Sequence, residues 1–202
     1  DEIHKTAFRV PTDEALDYWV KRFDRLHVEH EGIQTLFGKQ TLSFLDFDDQ
    51  QYMLISDENN EGIASGTPWQ KGPIPLEFAI TGLGPVHIRI ARFDYFKEVL
   101  EKVMVMREVA AEGNLHLFEV GEGGNGASVI VEHNTELAPG RQGFGTVHHA
   151  AFRVEDTAVL HEWIERLESF GFGTSGYVDR FFFESLYARV APGILFEWAT
   201  DG

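Results

Sequence analysis

The sequence predicts an α+β fold built from tandem β-α-β-β-β units, and three observations carry that prediction. Apolar runs of strand length alternate with segments of helical period. The stretch His4-Lys5-Thr6-Ala7-Phe8-Arg9-Val10 returns as His148-His149-Ala150-Ala151-Phe152-Arg153-Val154, a shift of 144 residues (148 minus 4). The same shift carries Leu16 to Leu160 and Trp19 to Trp163, so the repeat spans a strand and the helix after it, as a duplicated supersecondary unit would.

The first unit, residues 1–60, opens with a strand from Ile3 to Val10. Pro11-Thr12-Asp13 then offers a helix start, and Leu16, Trp19, Val20 and Phe23 follow at helical spacing. Short strand candidates lie at 33–37, 41–47 and 51–56. Residues 61–80 read as a surface linker, because the stretch from Asp57 to Leu76 holds Gly62, Gly66, Pro68, Gly72, Pro73 and Pro75. The second unit, 81–135, opens on Val86-His87-Ile88-Arg89-Ile90. It continues into a helix bearing Phe96, Val99, Leu100 and Val103 and closes on strands near 115–120 and 128–132. A loop from Asn134 to Gly145 leads into the third unit, 136–202, whose helix carries Leu160, Trp163, Ile164 and Leu167 and whose last strands are expected at 181–189 and 194–199.

Composition narrows the function. A content of 43% hydrophobic and 13% aromatic residues fills a sizeable core in 202 residues. With 33 acidic against 17 basic residues the formal charge is -16, which argues against nucleic acid and anionic membranes as partners. Cysteine is absent, so thiolate metal sites and disulfides are excluded. No apolar run approaches the roughly 20 residues that span a bilayer, and with no signal peptide in view a cytoplasmic location is expected.

Two strand candidates carry ionisable groups where a core strand is normally apolar. Glu197 lies between Phe196 and Trp198, and a buried carboxylate is costly without a cation or hydrogen bonds. His149, on the first strand of the same unit, is the imidazole that can join Glu197 around a cation. Two imidazoles and one carboxylate on one face of Fe(II) leave the remaining positions open to substrate and dioxygen. Strand alternation would turn His148 and His149 to opposite faces. In the first unit Lys5 stands where the third has His149, and with a two-residue gap Ile55 stands where it has Glu197, so the first unit lacks the pair. Matching Leu100 to Ile164, a shift of 64 (164 minus 100), puts Pro85 rather than His87 at the ligand position of the second unit, and His87 reads as structural.

Tandem units with one ligand on the first strand and another on the last resemble the vicinal oxygen chelate superfamily of glyoxalases, bleomycin-resistance proteins and extradiol dioxygenases. Three segments resemble its hydroquinone-cleaving branch: Val147-His148-His149-Ala150-Ala151-Phe152, Asp179-Arg180-Phe181-Phe182-Phe183-Glu184-Ser185-Leu186-Tyr187, and Gly193-Ile194-Leu195-Phe196-Glu197-Trp198-Ala199-Thr200-Asp201-Gly202. The resemblance implies sheets curved into half-open barrels with helices outside. It implies Fe(II), or Mn(II) or another divalent metal, on His149 and Glu197, with His148, Arg180 and Tyr187 serving the substrate. The implied partners are a small hydroquinone or catechol-like aromatic and dioxygen, in a protein that can form homo-oligomers. In that family the remaining ligand is a histidine of a further, preceding unit, and four units are usual. With three units here, an N-terminal unit is expected to be missing. Two alternatives stay open: a glyoxalase-like metal-dependent lyase or isomerase, and an inactive fragment or binding module.

Overall fold

The first repeat folds as its apolar spacing demands. In the computed structural model, which describes residues 1–202, it comprises β1 (Glu2–Val10), α1 (Asp13–Leu26), β2 (Gln34–Leu36), β3 (Lys39–Leu45) and β4 (Gln51–Ser56). Thr12 caps α1, its hydroxyl accepting from the Ala15 amide at 3.2 Å, and His27 ends the helix in a left-handed conformation. The buried face of α1, formed by Ala15, Leu16, Trp19 and Phe23, packs on Val10, Leu42 and Leu54 of the sheet.

The second repeat runs β5 (Gly82–Ile90), α2 (Phe93–Glu98, continued as a π-helical turn over Val99–Val103), β6 (Arg107–Glu112), β7 (Leu115–Glu119) and β8 (Ser128–His133). Sequence reading locates β7 and β8 but not β6. That strand lies at the sheet edge with much of its surface exposed, so its Arg-Glu-Val-Ala-Ala-Glu sequence has no apolar run to betray it.

These strands form one mixed sheet in the order β2-β3-β4-β1-β5-β8-β7-β6. Its centre is the pair of first strands, β1 beside β5. A buried polar knot ties the long connection after β4 to this sheet. Arg9, only 3% exposed, donates to Asp57 at 2.8 Å and to the carbonyls of Ile63 and Ala64. Asn125 donates to the Ser56 carbonyl and to Asp57.

The third repeat has its own sheet. It comprises β9 (Ala150–Arg153), α3 (Thr157–Ser169), β10 (Val178–Asp179), β11 (Glu184–Ala191) and β12 (Ile194–Ala199), in the order β10-β11-β12-β9. Asp156 caps α3 by accepting from the Val159 amide at 2.9 Å, and Leu160 and Leu167 are its buried residues. Phe152, Phe196, Trp198 and Trp163 form a chain of aromatic contacts beneath it. β11 starts at Glu184 rather than 181 because Arg180–Phe183 make a turn, in which the Arg180 amide donates to the Phe183 carbonyl at 2.9 Å.

By contact, the chain divides into two compact units. One is His4–Ile88 with Met106–His133; the other is Asp1–Ile3, Arg89–Val105 and Asn134–Gly202. Within the latter, the helix of the second repeat packs with the sheet of the third. Tyr95 donates to the Val190 carbonyl, Phe96 meets Phe196 edge-on, and Arg166 donates to the carbonyls of Val103 and Lys102 at 2.8 and 2.6 Å.

Strand register aligns the repeats. Ala151 pairs with Glu197 in the third, and its counterpart Ala7 pairs with Met53 in the first. The residue at the position of Glu197 is therefore Met53, with no gap, and not Ile55. In the second repeat, Asn134 donates to the Ile90 carbonyl as Asp57 does to that of Val10. That sets an offset of 80 (90 minus 10) and puts Pro85 at the position of Lys5.

Candidate metal and substrate site

Glu197 is the centre of the candidate site. It lies in the middle of β12, hydrogen-bonded on one side to β11 and on the other to β9, and is only 4% exposed. His149 Nε2 reaches its Oε2 at 2.7 Å. Tyr187, directly across the β11–β12 ladder, donates its hydroxyl to the other oxygen, Oε1. Both carboxylate oxygens are thus engaged from one face of the sheet.

His148 and His149 do not face opposite ways. β9 begins only at Ala150, so strand alternation does not govern the two imidazoles, and they meet edge-on with Nδ1 to Nδ1 at 2.9 Å. One Nδ1 must donate and the other accept, which couples the tautomers of the two rings. The Gln142 side chain donates to the His148 carbonyl and accepts from Arg189 at 2.9 Å, linking the segment before β9 to β11.

Arg180 lies in the turn before β11, and its guanidinium stands 5.4 Å from the centre of the Tyr187 ring. All five sequence-selected residues therefore join one chain of contacts: His148, His149, Glu197, Tyr187, Arg180. The same turn presents Phe181 and Phe182 to solvent, edge-to-face with one another, with Phe181 at φ +71. A cleft of about 290 Å³ lined by Ile3, Leu137, Gln142 and Val147 lies along the stretch that precedes β9 and includes none of the five.

The donor set fits a divalent cation through His149 Nε2 and Glu197 Oε2, which already converge, and a nearly buried carboxylate is the partner such an ion needs. Nowhere do three or more histidine, cysteine, aspartate or glutamate side chains converge in this way. A second imidazole–carboxylate pair does occur in the other compact unit. There His87 Nε2 lies 3.3 Å from Glu132 Oε2, with the ring of His4 edge-on to His87. Measured from Pro85, it sits two residues further along β5 than the position of His149.

No protein-family model matches the chain. It is 38% identical over 207 residues to "Putative ring-cleaving dioxygenase MhqA" of Bacillus subtilis, across all of this chain and 65% of the relative. It superposes with a TM-score of 0.85 and 27% identity on the crystal structure of a dioxygenase, named as putative, from the same species, covering 99% of this chain and 62% of that one. A glyoxylase/bleomycin resistance protein/dioxygenase domain from Frankia shares the fold at a TM-score of 0.55. The chain is similar over its whole length to proteins named as ring-cleaving dioxygenases, and it shares the fold of a glyoxylase/bleomycin resistance protein/dioxygenase domain. A further relative, the chlorohydroquinone/hydroquinone 1,2-dioxygenase of Sphingobium indicum, is 26% identical over 201 residues. The chain spans less than two thirds of the length of these curated relatives, 65% and 61%.

Proposed function

We propose that this chain carries the metal-binding and substrate-holding elements of an Fe(II)-dependent extradiol-type dioxygenase that opens hydroquinone or catechol-like rings. The observation that carries this reading is the His149–Glu197 pair, with Tyr187 on the second carboxylate oxygen and Arg180 over Tyr187. The relatives named for ring cleavage and for hydroquinone support the substrate class. His149 and Glu197 hold the metal, and Fe(II) bound there supplies the redox chemistry that lets dioxygen react with the ring.

The remaining steps belong to the chain's own groups. To ligate through Nε2, His149 must carry its proton on Nδ1, and the 2.9 Å contact lets His148 Nδ1 accept it. His148, exposed at its other edge, then exchanges protons with substrate or solvent. Tyr187 fixes the carboxylate by donating to Oε1, which leaves its hydroxyl oxygen free to accept from a phenol O–H. Arg180 stabilises the phenol oxygen as it loses its proton, because a guanidinium stays charged while a phenolate forms.

A third ligand comes, in this reading, from another β-α-β-β-β unit placed beside β9. β9 is the edge of its sheet, whereas its counterpart β1 is flanked by the first strand of another repeat. The lack of cysteine suits a site handling Fe(II) and dioxygen in a reducing cytoplasm, and no helix is long and apolar enough to cross a membrane.

The test is oxygen uptake by Fe(II)-loaded protein with hydroquinone, together with metal retention. Wild type is expected to consume oxygen as the ring opens, while His149→Ala and Glu197→Gln lose Fe(II) affinity by about 10-fold or more. Equal Fe(II) retention in Glu197→Gln would refute the site.

A further inference from the structure

Ser185 lies on the site-bearing face of β11. It pairs with Ala199 as Tyr187 pairs with Glu197, so it stands two residues from Tyr187 on the same side of the sheet. Same-face neighbours along a strand have their Cα atoms about 7 Å apart, so Ser185 is the next residue of that face after Tyr187. Ser185 is 0% exposed, and its Oγ makes no hydrogen bond. A buried hydroxyl without a partner costs stability, and native proteins leave few of them. Packing does not call for it, since alanine would fill nearly the same space opposite Ala199.

We propose that Ser185 is a substrate-recognition residue: Oγ hydrogen-bonds the second oxygen of a dihydroxylated ring whose first oxygen lies at His149, Glu197 and Tyr187. This rests on the aromatic-substrate reading above and names the group that distinguishes two hydroxyls from one. A serine hydroxyl both donates and accepts, so it serves a phenol in either protonation state. A site built around a hydroxyl discriminates against the analogue that lacks it, because the analogue leaves that group unpaired.

The experiment is calorimetric titration of the Fe(II)-loaded protein, kept free of oxygen, with hydroquinone and with phenol, in wild type and Ser185→Ala, alongside thermal unfolding of both. Wild type is expected to prefer hydroquinone by about 10-fold or more. Ser185→Ala is expected to bring the two ligands within about 2-fold, with a Tm equal to or above that of wild type. A preference that survives in Ser185→Ala overturns the proposal. A Tm several degrees lower, with both ligands lost together, assigns Ser185 to packing and also overturns it. If wild type binds neither ligand, the aromatic-substrate reading itself fails and takes this proposal with it.

Discussion

Glu197 and Met53 occupy the same backbone position in two repeats and meet opposite surroundings. Met53 is buried in a cluster with Ala7, Ile55 and Ile130, whereas Glu197 has His149 and Tyr187 on its two oxygens. Met53→Glu would place a carboxylate in the apolar cluster with none of those partners, and is expected to lower the unfolding free energy by more than about 2 kcal/mol in urea titrations. Tyr187→Phe leaves Glu197 Oε1 without its donor and is expected to cost about 1–3 kcal/mol. The sequence made Glu197 legible because a carboxylate between Phe196 and Trp198 contradicts its own strand. Its counterpart stands two residues from the position that hydropathy suggests, because an apolar run offers no mark that fixes register. Met53, Leu54 and Ile55 are interchangeable on hydropathy, and only pairing with Ala7 selects one of them.

Elements end where local chemistry ends them, and this decides what could be read in advance. α1 and α3 carry Thr12 and Asp156 at their caps and buried leucines at helical spacing, so their starts were visible. Thr12→Ala is expected to cost about 1 kcal/mol. The polar knot of Arg9, Asp57 and Asn125 was not visible, because it joins residues more than forty positions apart through a connection that composition marks only as linker. The strand starts at 150 and 184 were hidden for a related reason: side chain–backbone contacts and a turn, not hydropathy, set them.

The far ends of β9 and β12 meet in a further ion pair, between Arg153 and Asp201. Hydrogen bonds from the Arg153 guanidinium hold the Asp201 carboxyl below its ordinary value. A depressed carboxyl stabilises the fold above its unfolded pKa, near 4, and that contribution is lost as pH falls through the folded value. Arg153→Gln is therefore expected to lower the neutral Tm slightly, because the pair is exposed, and to make the fall below about pH 4 shallower by that same small amount, so that the two proteins converge in acid, as thermal scans across pH would record.

At the scale of the whole molecule, a charge of -16 on 202 residues makes the folded chain repel itself. Adding sodium chloride to about 0.5 M, where screening acts over a few ångströms, is expected to raise the Tm; a fall would mean that favourable ion pairs dominate instead. Hydrogen exchange is expected to separate the two first strands. β1 is flanked by β4 and β5 and should exchange slowly, while β9, bonded only to β12, should expose its free-side amides within the fastest class. The tandem order of strands and helices was readable from the 144-residue repeat. Which repeats share a sheet was not, since pairing between first strands leaves no signature in either strand alone.

The shared register of Ala7 with Met53 and Ala151 with Glu197 also bears on how such a chain changes over generations. A duplicated scaffold holds a spare copy of every backbone address, so a reactive side chain can be gained or abandoned at one copy without rerouting the chain. The burden falls on the few neighbours that must satisfy it. For Glu197 these are one imidazole and one phenol, and a copy that lost them would be pressed toward an apolar residue such as methionine.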